Sequence, residues 1–221
     1  MKTLTEFLNE GIISEDNTTN VNKITEWIDK NYDAVRGLKI SNTPNRRGLY
    51  EVDASGVDLH NKNITSLTNG MFVWNKVGYF NCKWCHSLKS LEGGPIEVDD
   101  FSCCHCTSLQ SLQGAPKKVK GDFECSGCDS LKTLEGGPIG TIGRNYDCSN
   151  CSSLKSLQGA PSKVEGDFDC SECGSLVYLT GIPKYVGGDF SCYGSKKEFE
   201  EYYITQVERV KVEGSIYSML Y

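Results

Sequence analysis

The stretch FECSGCDSLKTLEGGP, residues 123–138, places two cysteines three apart, then leucines, a glycine pair and a proline. Taken alone, Cys125-x-x-Cys128 reads as the half-site of a structural zinc. Its neighbours change that reading. FNCKWCHSLKSLEGGPIEV starts at Phe80, FSCCHCTSLQSLQGAPKKV at Phe101, YDCSNCSSLKSLQGAPSKV at Tyr146, FDCSECGSLVYLTGIPKYV at Phe168, and a shortened FSCYGS at Phe190. Successive units begin 21, 22, 23, 22 and 22 residues apart. A unit this short cannot bury its own apolar face, so neighbouring units must stack around one shared core.

Within a unit the pattern is local and physical. In Gly166-Asp-Phe-Asp-Cys170, Phe168 and Cys170 alternate with Asp167 and Asp169, the signature of a short half-buried strand. Cys173, Leu176 and Leu179 follow at spacing three, which suits a tight, 3₁₀-like bend. Gly181 and Pro183 turn the chain, and Val186 leads into the next strand. The expected fold is a repeat solenoid of stacked short parallel strands with a period of about 22 residues, its rungs ~4.8 Å apart. Val57-Asp-Leu59 with Ile64 and Leu67 reads as a degenerate first rung without cysteines.

Both ends of such a stack need covering. Val21, Ile24, Trp27, Ile28, Tyr32 and Val35 recur at helical spacings, with Asn20 as N-cap. After the repeats, Ser195-Lys-Lys-Glu198 reads as a capping box opening a helix with Phe199, Tyr202 and Tyr203. Alternating Val207, Val210 and Val212, then Glu213-Gly214 and Ile216-Tyr217, predict a closing hairpin. The chain divides into an N-terminal segment and linker (1–20), an N-terminal cap (21–56), the solenoid (57–194) and a C-terminal cap (195–221).

The apolar order Phe168-x-Cys170-x-x-Cys173 resembles the L-x-L-x-x-(N/C) core of leucine-rich repeats, with Phe and Cys in place of Leu. The wording SL-x-SL-x-G-x-P-x-x-V-x-GDF-x-C is similar to repeat proteins encoded by T4-like and giant bacteriophages, over roughly residues 57–192. That resemblance implies an architecture more than a partner.

The cysteines form five C-x-x-C pairs, Cys82/Cys85, Cys103/Cys106, Cys125/Cys128, Cys148/Cys151 and Cys170/Cys173, with Cys104 and Cys192 outside them. Their spacing falls inside the zinc-ribbon window. Five pairs leave one unmatched if each zinc takes four thiolates. The repeat also puts the cysteines where a stacked solenoid needs small buried side chains, and Cys packs as a compact hydrophobe. The reading favoured is a buried thiol ladder with no cofactor, and the alternative is a structural zinc array. Cys82-Lys-Trp-Cys85-His86 matches c-type haem attachment, but His86 falls at a variable repeat position occupied elsewhere by Thr107, Asp129, Ser152 and Gly174. With histidines only at 60, 86 and 105 and no evident triad, no enzyme is expected.

The candidate interaction face consists of the outward strand positions: Asp100/Ser102, Asp122/Glu124, Asn145/Asp147, Asp167/Asp169 and Asp189/Ser191. They carry seven acidic residues and no basic one, whereas Lys117, Lys118, Lys120, Lys163 and Lys184 fall after the prolines and predict basic edges. Like charges ~5 Å apart repel by roughly 1 kcal/mol even in water. Two readings stay open: aspartates bonding local backbone at the turn, or a docking face for a basic protein surface with Trp84, His105 and Tyr193 as anchors.

The net charge of −6 argues against a nucleic-acid or anionic-membrane surface, and no apolar run approaches a membrane span. The opening MKTLTEFLNE lacks a secretory apolar core, which together with the thiols implies a reducing compartment. It resembles instead the capsid-targeting signal of T4-like phage internal head proteins, with cleavage mapping onto Glu10-Gly11. That resemblance implies a non-enzymatic interaction solenoid of the virion head interior or the host bacterial cytoplasm, inhibiting a host-encoded defence protein, or else a structural virion component.

Overall fold

The computed structural model describes residues 15–32, 34–194 and 209–217, with backbone only for 15–18. The capping box at Ser195–Glu198, its helix and the Glu10-Gly11 site lie outside the described residues. Helix α1 spans Glu15–Asn31. It begins five residues before Asn20, which lies inside the helix rather than capping it. Strands β1 (Ala34–Arg36) and β2 (Lys39–Ile40) are short, and β3 (Tyr50–Asp58), β4 (Phe72–Asn81) and β5 (Glu97–Ser102) are long. Two-residue strands then alternate: β6 (Lys118–Val119), β7 (Phe123–Glu124), β8 (Thr141–Ile142), β9 (Tyr146–Asp147), β10 (Lys163–Val164), β11 (Phe168–Asp169), β12 (Tyr185–Val186), β13 (Phe190–Ser191), β14 (Lys211–Val212) and β15 (Ile216–Tyr217).

The fold is a parallel β-solenoid. Strands β3, β4 and β5 pair in parallel as single ribbons. Beyond β5 the sheet divides, with β6, β8, β10, β12 and β14 continuing one branch and β7, β9, β11, β13 and β15 the other. One residue causes the division. Val98 and Phe101 are three apart, whereas Val119/Phe123, Ile142/Tyr146, Val164/Phe168, Val186/Phe190 and Val212/Ile216 are four apart. The added residue interrupts the ladder as a bulge does and bends each rung between its two pairing segments.

The rungs share one core of residues stacked on their own equivalents. Phe80, Phe101, Phe123, Tyr146, Phe168 and Phe190 form a column of near-parallel rings, with centroids 5.1 to 5.6 Å apart and planes within 4 to 13°. These separations exceed the ~4.8 Å strand spacing, so the rings are slipped, as their quadrupoles favour. All twelve cysteines are free and buried. The second of each pair donates its S–H to a carbonyl of the preceding rung: Cys85 to Leu59, Cys106 to Cys82, Cys128 to Cys103, Cys151 to Cys125 and Cys173 to Cys148, at 3.1 to 3.3 Å. A thiol therefore fills a small apolar space and also donates to a buried carbonyl of the rung before. Burial pushes the thiols of Cys125, Cys148, Cys151 and Cys170 well above their ordinary range, and those of Cys173 and Cys192 up to about 12.

At the N-terminal end, α1 sets Val21, Ile24 and Ile28 against the core. Tyr32 donates its hydroxyl to the Leu67 carbonyl at 2.8 Å and accepts the Trp74 indole N–H at 3.2 Å. Strands β1 and β2 add antiparallel to β3 and cover its outer edge. The expected closing hairpin is not present. Strands β14 and β15 do not pair with each other but lie parallel on β12 and β13, forming one more rung. Lys211-Val-Glu-Gly-Ser-Ile216 repeats the spacing of Lys163-Val-Glu-Gly-Asp-Phe168, so the same register is imposed on both.

The ring column gives a paired prediction. Tyr146 is the one hydroxylated ring in the column, and its hydroxyl is buried without a hydrogen-bond partner among the described residues. Tyr146→Phe is expected to raise the urea midpoint, by about 1 kcal/mol of relieved desolvation. Phe123→Ala is expected to cost about 3–5 kcal/mol through the cavity it leaves. A destabilised Tyr146→Phe protein in the same titration would refute this account of the column.

Candidate partner-binding face

Each rung carries two outward polar positions around its ring. The residue before the ring forms a ladder of its own. Asp100 Oδ1 accepts the Asp122 N–H at 2.8 Å, Asp122 Oδ1 that of Asn145 at 3.0 Å, and Asn145 Oδ1 that of Asp167 at 2.8 Å. Asp167 Oδ1 then accepts the Asp189 N–H at 2.8 Å, and Asp189 Oδ1 the Ser215 N–H at 2.7 Å. The added residue turns these amides out of the strand ladder, and the side-chain oxygen of the preceding rung receives them. Asn145 serves as well as aspartate because the ladder uses only an acceptor oxygen.

After the ring, Asp147 Oδ1 accepts the Ser149 N–H at 2.9 Å and Asp169 Oδ1 the Ser171 N–H at 2.8 Å. These are Asx turns that open the C-x-x-C bend. Glu124 meets the Lys83 ammonium at 2.8 Å instead. Burial opposes its ionisation, but hydrogen bonds from Lys83 and the Ser102 hydroxyl prevail and hold the carboxyl below its ordinary range. Ser102 lies in register with Glu124 on this face but is buried there, contacting the Cys104 thiol at 3.4 Å.

The face is not uniformly acidic, contrary to the sequence expectation. Arg144 occupies the added position, which is glycine at 121, 166, 188 and 214. Its guanidinium reaches back over two rungs to Asp100 and, at 3.1 Å, to Asp122 Oδ2. The expected basic edge is compensated in part, at three of its five lysines. Lys120 contacts Glu97 at 3.1 Å and Asp99 at 3.0 Å, Lys118 contacts Glu97 at 3.8 Å, and Lys163 contacts Glu165 at 2.7 Å. Side chains that long reach the next rung, so alternation along a strand does not fix where the charge ends.

The C-terminal half differs. Asp147, Asp167, Asp169 and Asp189 have no ion pair among the described residues. At Asp122, Oδ1 takes a backbone amide while Oδ2 takes Arg144. At Asp167 and Asp189 the Oδ1 bond is the same, and the residue placed to do what Arg144 does is Gly214. Among the described residues, two successive ladder aspartates thus occur twice, and a guanidinium bridges them at Asp100 and Asp122.

Two of the three aromatic anchors come together. Trp84 is 41% exposed and stacks on His105, with centroids 4.1 Å apart and planes at 18°. Both residues sit in the left-handed region at the third position of their C-x-x-C, with φ of 64° and 58°. The equivalent position in the next rung is Gly127, where a Cβ would overlap the His105 ring. Tyr193 is 47% exposed but stands in the last C-x-x-C-like bend, several rungs away. His86 meets Trp84 edge-on at 5.8 Å and hydrogen-bonds Thr107 at 3.0 Å, while Cys85 is buried beneath. Among the described residues no three His, Cys, Asp or Glu side chains converge in a metal-holding arrangement, and no helix is long and apolar enough to cross a membrane.

Comparison of the chain with protein-family models, with curated proteins and with solved structures finds no match.

The ladder separates two substitutions at one aspartate. Asp167→Asn keeps the acceptor and is expected to leave stability within about 0.5 kcal/mol, whereas Asp167→Ala strands the Asp189 amide and costs about 1 kcal/mol. Equal losses in chemical denaturation would count against the ladder.

Proposed function

We propose that the chain is a non-enzymatic protein-interaction solenoid whose C-terminal acidic face receives arginines of a basic partner surface. The observation that carries this reading is the repeated pair of successive ladder aspartates, each pair a carboxylate fork. Arg144 fills the fork at Asp100 and Asp122, whereas the equivalent fork at Asp167 and Asp189 has Gly214 in that place. A planar guanidinium with several donors suits such a fork better than an ammonium. The ladder holds the carboxylates in position before binding, which lowers the ordering cost of association. Asp147 and Asp169 extend the negative potential beside the fork, steering a basic partner toward it.

The resemblance of the repeats and of the first ten residues to phage proteins supports a host-encoded partner. The protein is then packaged in the phage head or made in the host cytoplasm, and blocks the partner by occupying its basic surface.

The test is the double substitution Asp167→Asn with Asp189→Asn, which keeps the ladder acceptors and removes both charges. A protein retained from host lysate by the native chain at low salt is expected to be lost with the variant, and to be released from the native chain as salt rises. Equal retention by both would overturn the proposed face. Mass spectrometry of virions separately tests delivery: a peptide beginning at Gly11 is expected, and its absence would remove that part of the reading.

A further inference from the structure

The two ends of the solenoid are finished differently. At the N-terminal end, β1 and β2 lie antiparallel on the outer edge of β3. At the other end the last rung among the described residues is Lys211–Tyr217, and its inner side is engaged by the rung before. Lys211, Glu213 and Gly214 donate their amides to the carbonyls of Lys184, Val186 and Gly188, at 3.1, 2.9 and 3.0 Å. The carbonyls of Ser215 and Tyr217 accept the amides of Phe190 and Cys192, at 2.9 and 2.8 Å.

The outer side follows from the same ladder. In every inner rung the valine and the ring residue bond forward, to the rung that comes next. The Val164 carbonyl accepts from Gly187 and that of Val186 from Glu213, while the amides of Phe168 and Phe190 donate to Asp189 and Ser215. Val212 and Ile216 hold these two positions in the last rung. Their outward amides and carbonyls have no hydrogen-bond partner among the described residues. Ile216 continues the ring column but is 47% exposed, and Tyr217 beside it is 51% exposed. Unpaired backbone edged by apolar side chains is a template for another strand.

We infer that this edge joins two copies of the chain about a two-fold axis at Gly214. Antiparallel apposition centred there sets Val212 opposite the second copy's Ile216. The two residues that bond forward then meet as a hydrogen-bonded pair and exchange N–H and C=O on both sides of the axis. Directly opposed residues place their side chains on the same face, so valine meets isoleucine and the exposed end of the core is covered twice. Lys211 lies opposite the second copy's Tyr217. A lysine over a tyrosine ring already occurs at this end, where Lys163 and Lys211 stand 4.8 and 5.4 Å from the Tyr185 centroid. Glu213 lies opposite Ser215, so no like charges face each other. An isologous contact needs such self-complementarity. The molecule's own antiparallel addition of β1 and β2 to a parallel edge closes the opposite end in the same manner.

The test uses the full chain in sedimentation velocity and hydrogen exchange. The native protein is expected to sediment at twice the chain mass at micromolar concentration, with the Val212 and Ile216 amides protected. Ile216→Lys changes an exposed side chain and is expected to sediment as a monomer with unchanged circular dichroism and with both amides exchanging rapidly. A native protein monomeric across the accessible concentration range would overturn the inference. So would a dimer that survives both Ile216→Lys and Val212→Lys, or one in which these amides exchange freely. Because the amides are read directly, a variant that misfolded would not hide the answer.

Discussion

Every side chain in this solenoid lies one rung away from its own equivalent, ~4.8 Å along the axis. Each column must therefore be compatible with itself. Aromatic rings satisfy this by slipped stacking, from Phe80 to Phe190. Thiols satisfy it because they are small and carry one weak donor, which each second cysteine directs to the carbonyl of the rung before. Carboxylates satisfy it least easily, since like charges at this distance repel. The outer face consists of the several ways in which that repulsion is met.

One way is to neutralise the column with a cation of long reach, as Arg144 does across Asp100 and Asp122 and Lys83 does at Glu124. Another is to omit a charge, as at Asn145, where the ladder needs only its acceptor. A third is to give each carboxylate a backbone amide, and Asp167 and Asp189 rely on this alone among the described residues. The amide meets one oxygen of each pair and leaves the second to solvent or to a partner. The face is thus graded along the axis, compensated near β5 and open near β13.

The fold was legible because the period is carried by residues whose chemistry cannot vary much: a ring, two thiols, two leucines and a glycine turn. The degenerate first rung could be read as well, since Leu59 substitutes for cysteine without loss of burial. The last rung could not, because it keeps Lys211-Val-Glu-Gly but replaces the ring by Ile216 and lacks the cysteines that anchored the alignment. Alternating valines near a glycine then favoured a hairpin. The charge of the face was legible in composition but not in distribution. Arg144 was hidden because it occupies a position that is glycine in other rungs, and because a guanidinium on a flexible stem spans two rungs. Ser102 looked exposed by alternation, yet the bend after β5 buries it against Cys104.

The columns differ in how much chemical variety the stacking tolerates. Core columns are fixed by packing, and the first oxygen of each ladder aspartate is fixed by the next amide. The third position of each C-x-x-C is different. It adopts a left-handed backbone in every rung, from Asn61 through Trp84, His105, Gly127, Asn150 and Glu172 to Gly194. Such a conformation costs a non-glycine residue of order 1 kcal/mol or more. Glycine would be the cheaper choice throughout, yet five of these seven positions carry a side chain. At Trp84 and His105 the added rings contribute nothing to the core, and they stack on each other at the surface. The backbone cost is thus incurred repeatedly for chemically diverse side chains that lie outside the core.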